Sequence, residues 1–511
     1  MKFPLLLRFR LIWALFAFVS TLSAQTAGDY VTSGIAKKAK DDLDGAIADY
    51  TKAIELNPNF AYAYNNRGRA KQANGDLDGA IADYDKAIAL NPGYANAYNN
   101  RGAAKVANSD LDGAIADYNK AITLNPSFAY AYYNRGIAKH DKGNHDGAIA
   151  DYNKYIELKP DDADAYFNRG YAKDDKGDFD GAIADYDKAI ELNPNDVGAY
   201  FGRGNAKKAK GDLDGAIADY TKAIELNSND AIAYFNRGNA KKAKPDLDGA
   251  IADCNKAIEL NPNYADAYAG RGAAKNAKGD LDGAIADYTK AIELNPNFPI
   301  AYNNRGNAKN AKDDHDSAIA DYTKAVELNP NYAKAYYNRG CAKQAKGDYD
   351  GAIADYTKAI ELNPNFPIAY NNRGRVKQVK GDYDGASADY TKAIELDSNQ
   401  AVAYINLARL LATCSEDNHR NGPKAVEYAT KACKLTQWKN AYDLDTLAAA
   451  DAEAGNFNDA VKWENKCLAS ILLKNDADQA RQRLSLYQQK KPYHEEPEKG
   501  RDSIIGLQLK F

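Results

Sequence analysis

Apolar and small residues recur at spacings of three and four along most of the chain, in short segments that polar turns separate. Residues 61–94 show the pattern clearly, with the sequence AYAYNNRGRAKQANGDLDGAIADYDKAIALNPGY. Ala80 and Tyr84 belong to the apolar stripe of a helix that the spacing predicts over residues 77–90, and an earlier helix is predicted over residues 62–74. A Gly-Asp pair separates the two helices, and an Asn-Pro pair ends the second. The pattern therefore predicts a hairpin of two helices with one apolar face.

The same unit recurs every 34 residues, with eleven copies in fixed phase over residues 27–400. A single hairpin cannot bury its apolar face alone, so neighbouring hairpins are expected to stack. After residue 400 the phase slips, and residues 401–474 predict two irregular units. Residues 475–491 predict one more helix that caps the array, and residues 492–511 are expected to form a loose tail.

Six positions of the unit carry a family pattern of large, small, small, aromatic, small and proline residues. In the second unit they are Tyr64, Gly68, Ala80, Tyr84, Ala87 and Pro92. This pattern resembles the tetratricopeptide repeat, and the resemblance covers nearly the whole chain after the first 26 residues. It implies an all-α fold, a right-handed superhelical solenoid of helix-turn-helix repeats with a C-terminal capping helix. It also implies that protein or peptide binds on the concave surface that the first helices of successive units form.

Charged residues depart from the family pattern inside the hairpin. Arg67 and Lys71, with their equivalents in later units, replace residues that are usually apolar or aromatic in the family. Asp83 recurs in the second helix of every later regular unit. We therefore predict an ion pair between arginine and aspartate that joins the two helices of each hairpin, with solvated stripes of charge as the alternative. Tyr155 replaces a core alanine, which predicts local repacking of its unit.

An asparagine stands at one fixed position of the first helix in most units. These ladder asparagines are Asn66, Asn100, Asn134, Asn168, Asn236, Asn304, Asn338, Asn372 and Asn406, with Gly202 and Gly270 interrupting the series. A side-chain amide offers both a donor and an acceptor, so a row of them can pair with the main chain of an extended peptide of any sequence. Some superhelical members of the family use an asparagine ladder in this way. The alternative is a solvated residue that repeat duplication has carried along.

Aromatic side chains stand next to this row at positions that vary from unit to unit. The candidate anchors are Tyr133, Phe167, Phe201, Phe235 and Tyr337. Variation on one face of otherwise uniform units is typical of a selective groove, in which aromatic residues supply much of the binding energy. Neutral drift at exposed sites is the alternative.

Residues 1–24 have the order of a secretory signal peptide, with a positive start, an apolar stretch over residues 11–22 and small residues after it. The stretch is shorter than the ~20 residues that cross a bilayer. We therefore expect cleavage near Ser23 or Ala24, export to the periplasm or the exterior, and no integral membrane insertion. An uncleaved N-terminal anchor is the alternative.

The net charge and the numbers of cysteines and histidines exclude several classes of protein and site. The formal net charge is −4, so no basic excess favours nucleic acid as the main partner. Five cysteines in 511 residues form no disulfide framework, and Cys341 and Cys414 are expected to be buried rather than reactive. His140 and His145 share one unit without a third ligand at metal-binding spacing, which favours a solvated pair. No catalytic motif, metal site or cofactor site is expected.

These observations predict an exported scaffold that binds protein or extended peptide segments in a preformed groove. One alternative is a structural spacer, or a scaffold for envelope assembly, that uses the edges and ends of the array. Another is the regulatory arm of an enzyme whose catalytic part lies on a different chain. The sequence leaves the ligand, the pathway and the oligomeric state open.

Overall fold

The computed structural model describes residues 25–470 and 474–495, and this part of the chain is built from helices without strands. The signal peptide expected over residues 1–24 and most of the predicted tail, residues 496–511, lie outside the described residues. The all-α class with paired helices is confirmed. By its internal contacts the chain divides into two compact units, unit 1 over residues 1–245 and unit 2 over residues 246–511.

Helices alternate between a first and a second position of the hairpin. In unit 1 the first helices are α1 (Ala27–Lys38), α3 (Ala61–Ala73), α5 (Ala95–Ala107), α7 (Ala129–Asp141), α9 (Ala163–Asp175), α11 (Val197–Ala209) and α13 (Ala231–Ala243). The second helices of unit 1 are α2 (Leu43–Leu56), α4 (Leu77–Leu90), α6 (Leu111–Leu124), α8 (His145–Leu158), α10 (Phe179–Leu192) and α12 (Leu213–Leu226).

Unit 2 begins with a second helix and continues the alternation. Its second helices are α14 (Leu247–Leu260), α16 (Leu281–Leu294), α18 (His315–Leu328), α20 (Tyr349–Leu362), α22 (Tyr383–Leu396), α24 (Gly422–Leu435) and α26 (Phe457–Ser470). Its first helices are α15 (Ala265–Ala277), α17 (Pro299–Asn310), α19 (Ala333–Ala345), α21 (Pro367–Val379), α23 (Ala401–Thr413) and α25 (Ala441–Glu453), and the last helix is α27 (Lys474–Gln488). A short 3₁₀ helix, Asp417–His419, lies between α23 and α24.

The start of each second helix is fixed by the aspartate that precedes it. Asp76 is the N-cap of α4, and its carboxylate accepts the main-chain N–H of Gly79 at 2.9 Å. A Cβ atom on Gly79 would overlap this carboxylate, which explains the glycine in the repeated Asp-Leu-Asp-Gly sequence. The aspartates of the turn therefore serve as caps of the helix.

A tyrosine ring fills the centre of ten regular hairpins, and Cys254 takes its place in the eleventh. Tyr84 is fully buried in a cluster with Ala80 and with Ala104 of the next hairpin. A Cβ atom on Gly68 would lie 2.8 Å from Tyr84 Cε1, so the glycine lets the ring sit against the first helix. Since the next hairpin completes the cluster, each hairpin needs its neighbour to close its core.

A buried carboxylate joins the two helices of the hairpin, and the arginine that pairs with it also contacts the preceding hairpin. Arg67 donates from Nε and Nη2 to the two oxygens of Asp83 at 2.9 and 2.6 Å, and Lys71 Nζ lies 2.9 Å from Asp83 Oδ2. Arg67 Nη1 also donates to Thr51 Oγ1 of the preceding hairpin at 3.1 Å. The guanidinium lies 5.5 Å from the ring of Tyr64. The predicted ion pair is confirmed, and its arginine also bridges two hairpins.

The same arrangement recurs along both units, with a lysine four residues after each arginine. The further arginine–aspartate pairs are Arg101–Asp117, Arg135–Asp151, Arg169–Asp185, Arg203–Asp219, Arg271–Asp287, Arg305–Asp321, Arg339–Asp355 and Arg373–Asp389. We call this set of one aspartate with its arginine and lysine the ion triad.

Two features of the irregular regions also follow from single residues. Tyr155 is buried, and its hydroxyl donates to Asp162 Oδ2 at 2.5 Å, so the unit repacks around it as expected. The last helix packs on the rest of unit 2 through Tyr487 and Arg483. Arg483 Nη2 lies 2.5 Å from Asp445 Oδ1. Glu464 is fully buried beside this pair, and burial raises the pKa of its carboxyl group well above the ordinary range.

None of the helices within the described residues is long and apolar enough to span a bilayer.

Asp287→Ala tests the ion triad. Arg271 and Lys275 would lose their shared carboxylate, 2.6 and 2.8 Å away, while staying mostly buried. Because both cations keep some exposure, we expect the free energy of local unfolding of α15 and α16 to fall by about 2–3 kcal/mol. Amide hydrogen exchange of these helices measures the change. Glu293→Ala in the exposed Lys290–Glu293 pair is the control, with an expected loss below about 0.5 kcal/mol. Equal losses in the two variants would contradict the prediction.

Candidate functional site

The ladder asparagines of unit 1 bind the preceding hairpin. Asn100 Nδ2 donates to Asn65 Oδ1 at 2.9 Å, and Asn134 Nδ2 donates to Asn99 Oδ1 at 3.1 Å. The two acceptors belong to buried residues. Consecutive first helices are thus joined by amide-to-amide hydrogen bonds at a sequence separation of 35, a role that the sequence analysis did not predict.

The three other ladder asparagines of unit 1 donate to main-chain oxygens of their own helices, and two of them, Asn168 and Asn236, also contact the preceding hairpin. Asn168 Nδ2 donates to the hydroxyl oxygen of Tyr133 at 2.9 Å and to the carbonyl oxygen of Asp164 at 2.7 Å. Asn66 donates to the carbonyl oxygen of Tyr62 at 2.8 Å. Asn236 donates to the carbonyl oxygen one turn earlier at 3.1 Å, and its own oxygen accepts from Lys208 Nζ at 3.4 Å. Their side chains are therefore held in fixed orientations.

Unit 2 repeats the arrangement. Asn338 donates to Asn303 Oδ1 and Asn406 donates to Asn371 Oδ1, both at 2.9 Å. Asn372 donates to the hydroxyl oxygen of Tyr337 at 3.0 Å. The remaining ladder residue, Asn304, accepts from its neighbour Asn303 at 3.1 Å.

The ladder therefore presents mainly acceptors to a ligand. The side-chain oxygens of Asn100, Asn134 and Asn168 accept no hydrogen bond among the described residues, while one or both of their N–H groups are engaged. Apart from Asn66, which is buried, the ladder side chains are half-buried and reach solvent. A main-chain N–H of an extended peptide is the chemical complement of such an oxygen.

The candidate aromatic anchors are half-buried and lean on the central tyrosines. The ring centroids of Phe167 and Tyr186 lie 5.8 Å apart, and those of Phe201 and Tyr220 lie 5.7 Å apart. Tyr133 and Tyr337 make the same contact with their central tyrosines at 5.9 and 5.8 Å. Phe235 is half-buried as well. The four anchors with ring contacts therefore have one packed face, which restricts their orientation before any ligand binds.

The same face carries exposed aliphatic side chains that the sequence analysis did not name. Four residues before each ladder position, several units carry an exposed aliphatic side chain. These residues are Ile232 in unit 1 and Ile300, Ile368 and Val402 in unit 2, with exposed fractions between 37% and 53%. Residues four apart share one face of a helix, so these side chains border the ladder. Their constant offset within the 34-residue unit is the sequence signal that identifies them.

Four of the five cysteines are buried and the fifth, Cys341, is half-buried. All five are free. Burial raises the pKa of the Cys341 and Cys414 thiols, which keeps them protonated at neutral pH. Cys341 Sγ accepts from the hydroxyl of Tyr356 at 3.4 Å. Both residues therefore serve as small packing groups.

Models of one repeat family match most of the sequence. A model described as TPR repeat matches residues 34–75, 68–109, 104–143, 138–174, 204–244 and 272–313. Models described as tetratricopeptide repeat match residues 163–196, 299–332 and 333–366, residues 185–218 and 355–386, and residues 231–264. Together the matches extend over residues 34–264 and 272–386, which is more than half of the chain.

Several solved structures are similar to the chain. The crystal structure of MamA is 34% identical, covers 31% of this chain and 93% of its own, and has a TM-score of 0.30. YrrB, described as a TPR protein with an unusual peptide-binding site, is 28% identical over 36% of this chain and 95% of its own, with a TM-score of 0.32. Yeast Tom70 is 20% identical over 84% of this chain and 96% of its own, with a TM-score of 0.35. No curated protein matches the sequence significantly.

Asn338→Ala tests the structural role of the ladder. The substitution would leave the buried Asn303 oxygen without its donor, so we expect the free energy of unfolding of α17 to α19 to fall by about 1–2 kcal/mol. Asn236→Ala is the matched control, because that amide donates within its own helix and its oxygen makes only a long hydrogen bond, 3.4 Å, with Lys208 of the preceding hairpin. Its expected loss is below about 0.5 kcal/mol. Hydrogen exchange of the affected helices gives both values. A loss in the control as large as that in Asn338→Ala would refute the inter-hairpin role.

Proposed function

Since the chain belongs to the tetratricopeptide repeat family, we propose that it is an exported, non-catalytic scaffold that binds extended peptide or protein segments along the first helices of its hairpins. A fold of this family is consistent with binding of protein or peptide. The observation that carries the proposal is the set of half-buried ladder amides whose N–H groups are engaged and whose oxygens accept no hydrogen bond among the described residues, as at Asn100, Asn134 and Asn168. Exposed aliphatic side chains lie beside the ladder in other hairpins.

The spacing of the row suits an extended chain. Packed helices lie about 8–10 Å apart, and an extended peptide advances about 3.3 Å per residue. About every third peptide residue can therefore place its N–H opposite a ladder oxygen. Main-chain recognition of this kind is independent of side-chain identity, so the aromatic and aliphatic residues beside the row would supply selectivity.

The fixed orientation of the ladder amides and the aromatic rings favours a binding function over a purely structural role. The inter-hairpin hydrogen bonds orient the amides, and the central tyrosines hold the aromatic rings. Little side-chain freedom remains to be lost when a ligand binds, which lowers the entropic cost of association. Oxygens that accept no hydrogen bond within the described part of the chain support a binding function over a structural spacer.

Export is the part of the proposal that rests on residues 1–24 alone. When the full-length gene is expressed in a bacterium with two membranes, we expect a periplasmic product whose first residue follows Ser23 or Ala24. N-terminal sequencing of the fractionated protein tests this expectation. Protein that retains Met1 and sediments with membranes would instead indicate an uncleaved anchor.

A pair of triple variants tests the binding face. Random peptides are first selected on the mature protein, and the affinity of one selected peptide is measured by fluorescence anisotropy. Replacing Asn100, Asn134 and Asn168 with alanine is expected to weaken this affinity about 100-fold, since three hydrogen bonds of about 1 kcal/mol are lost.

The matched control breaks the same three inter-hairpin hydrogen bonds and keeps the ladder. It combines Asn65→Ala, Asn99→Ala and Tyr133→Phe, which remove the acceptors of the ladder amides. Because the ladder oxygens and the ring at residue 133 remain while the amides lose an orienting contact, we expect its affinity to fall by no more than about tenfold, about 1.4 kcal/mol, against about 100-fold for the ladder variant. Equal weakening in both variants would assign the asparagines to structure alone. Failure to select any peptide would favour the spacer.

A further inference from the structure

Two histidines and an aspartate meet at the turns of two consecutive hairpins in unit 1. His140 lies at the end of α7, His145 begins α8, and Asp175 ends α9 of the next hairpin. One ligand atom from each of the three residues lies within 4.8 Å of the other two. His140 Nε2 is 2.9 Å from Asp175 Oδ2, and the two imidazole centroids are 5.1 Å apart. The third ligand comes from the neighbouring hairpin, so spacing within one unit could not indicate it.

An unsatisfied ring nitrogen marks this cluster as incomplete. His145 Nδ1 is buried and has no hydrogen-bond partner among the described residues. His315 occupies the same position five units later, and there Nδ1 lies 2.8 Å from Asn310 Oδ1. His140 stands at the position of Asn310. The hairpin of His315 thus supplies an amide partner, while the hairpin of His145 supplies a second imidazole.

The surroundings favour a cation. The two turn lysines form ion pairs with carboxylates outside the cluster, Lys142 with Asp112 and Lys176 with Asp146. Each pair is neutral as a whole, so neither balances the charge of Asp175. Asp141 Oδ1 lies 4.0 Å from His140 Nδ1, beyond hydrogen-bond distance, so it adds negative charge beside the cluster. A small rotation of the imidazole on metal binding would bring this carboxylate into the orienting position that commonly supports a histidine ligand.

We propose that His140, His145 and Asp175 bind a divalent late first-row metal ion, for which Zn²⁺ is the probe. Two imidazoles and one carboxylate are a ligand set that such ions accept. Bond lengths of about 2.0–2.1 Å place tetrahedral ligands about 3.4 Å apart, so small side-chain rotations complete the site. The ring of Tyr171, 4.9 Å from that of His140, limits the rotation of the imidazole. A fourth position stays open to water.

The ion would join two hairpins. Two ligands belong to the hairpin of α7 and α8, and the third belongs to α9. Binding to the folded state alone stabilises that state, so the ion acts as a local staple in unit 1. This role is independent of the ladder and of any peptide.

The experiment uses untagged, full-length protein that a chelator has stripped of metal. Isothermal titration with Zn²⁺ and the visible absorption of bound Co²⁺ give stoichiometry and geometry. We expect one ion per chain and a tetrahedral or five-coordinate Co²⁺ spectrum. His145→Leu and Asp175→Ala are expected to weaken Zn²⁺ binding by more than about 100-fold, beyond the effect of losing an orienting group. Both variants introduce residues that most other units carry at these positions, so the hairpins should fold.

Two further variants complete the test. His315→Leu makes the same change five units away and should leave affinity and stoichiometry unchanged. Asp141→Asn should weaken binding about tenfold, as expected for an orienting group. The proposal is overturned if the parent protein binds no stoichiometric Zn²⁺, or if His145→Leu binds it as tightly as the parent does.

Discussion

The carboxylate of the ion triad is the constraint on which the regular hairpins depend. Asp83 is buried, and its two oxygens are shared between an arginine and a lysine of the first helix. Removing ions from water is costly, so a buried ion pair adds little net stability over a well-packed apolar pair. Its geometric demand is strict, because leaving the carboxylate unpaired is far more costly than making the pair. The triad therefore fixes how the two helices face each other, and the tyrosine core forms within that arrangement.

The arginine extends this constraint from one hairpin to the next. Its remaining nitrogen donates to the residue 16 positions earlier, and the acceptor is Thr51 for Arg67, Asp85 for Arg101 and Asn119 for Arg135. Three residue types occur at this position in these hairpins, and all three offer a side-chain oxygen. What the structure requires there is an acceptor and not a particular side chain. Uniform stacking is thus compatible with variation in charge on the outer surface.

The paired helices, the central tyrosines and the arginine–aspartate pairs were predictable, because each depends on periodicity within one hairpin. The ladder contacts and the position of Asp175 were not, because they depend on how one hairpin is placed on the next. A trace of the ladder contacts is nevertheless present in the sequence. Gly202 and Gly270 interrupt the ladder where the residue 35 positions earlier is Phe167 or Phe235. Where that residue is asparagine or tyrosine, the ladder keeps its asparagine, and it also keeps it at Asn236 and Asn304, which follow Phe201 and Ala269. The trace is therefore partial.

The contacts of the regular hairpins have short range along the chain, and this has an evolutionary consequence. Each triad, together with its inter-hairpin hydrogen bond, reaches no further than the adjacent hairpin. Copies also share long identical stretches of sequence, such as DGAIADYTKAIELNPNF, which begins at residue 282 and again at residue 350, two units later. Unequal recombination between such copies would delete or insert whole units and recreate the same junction. The gene can therefore change the length of the protein in steps of one hairpin without creating a defective joint.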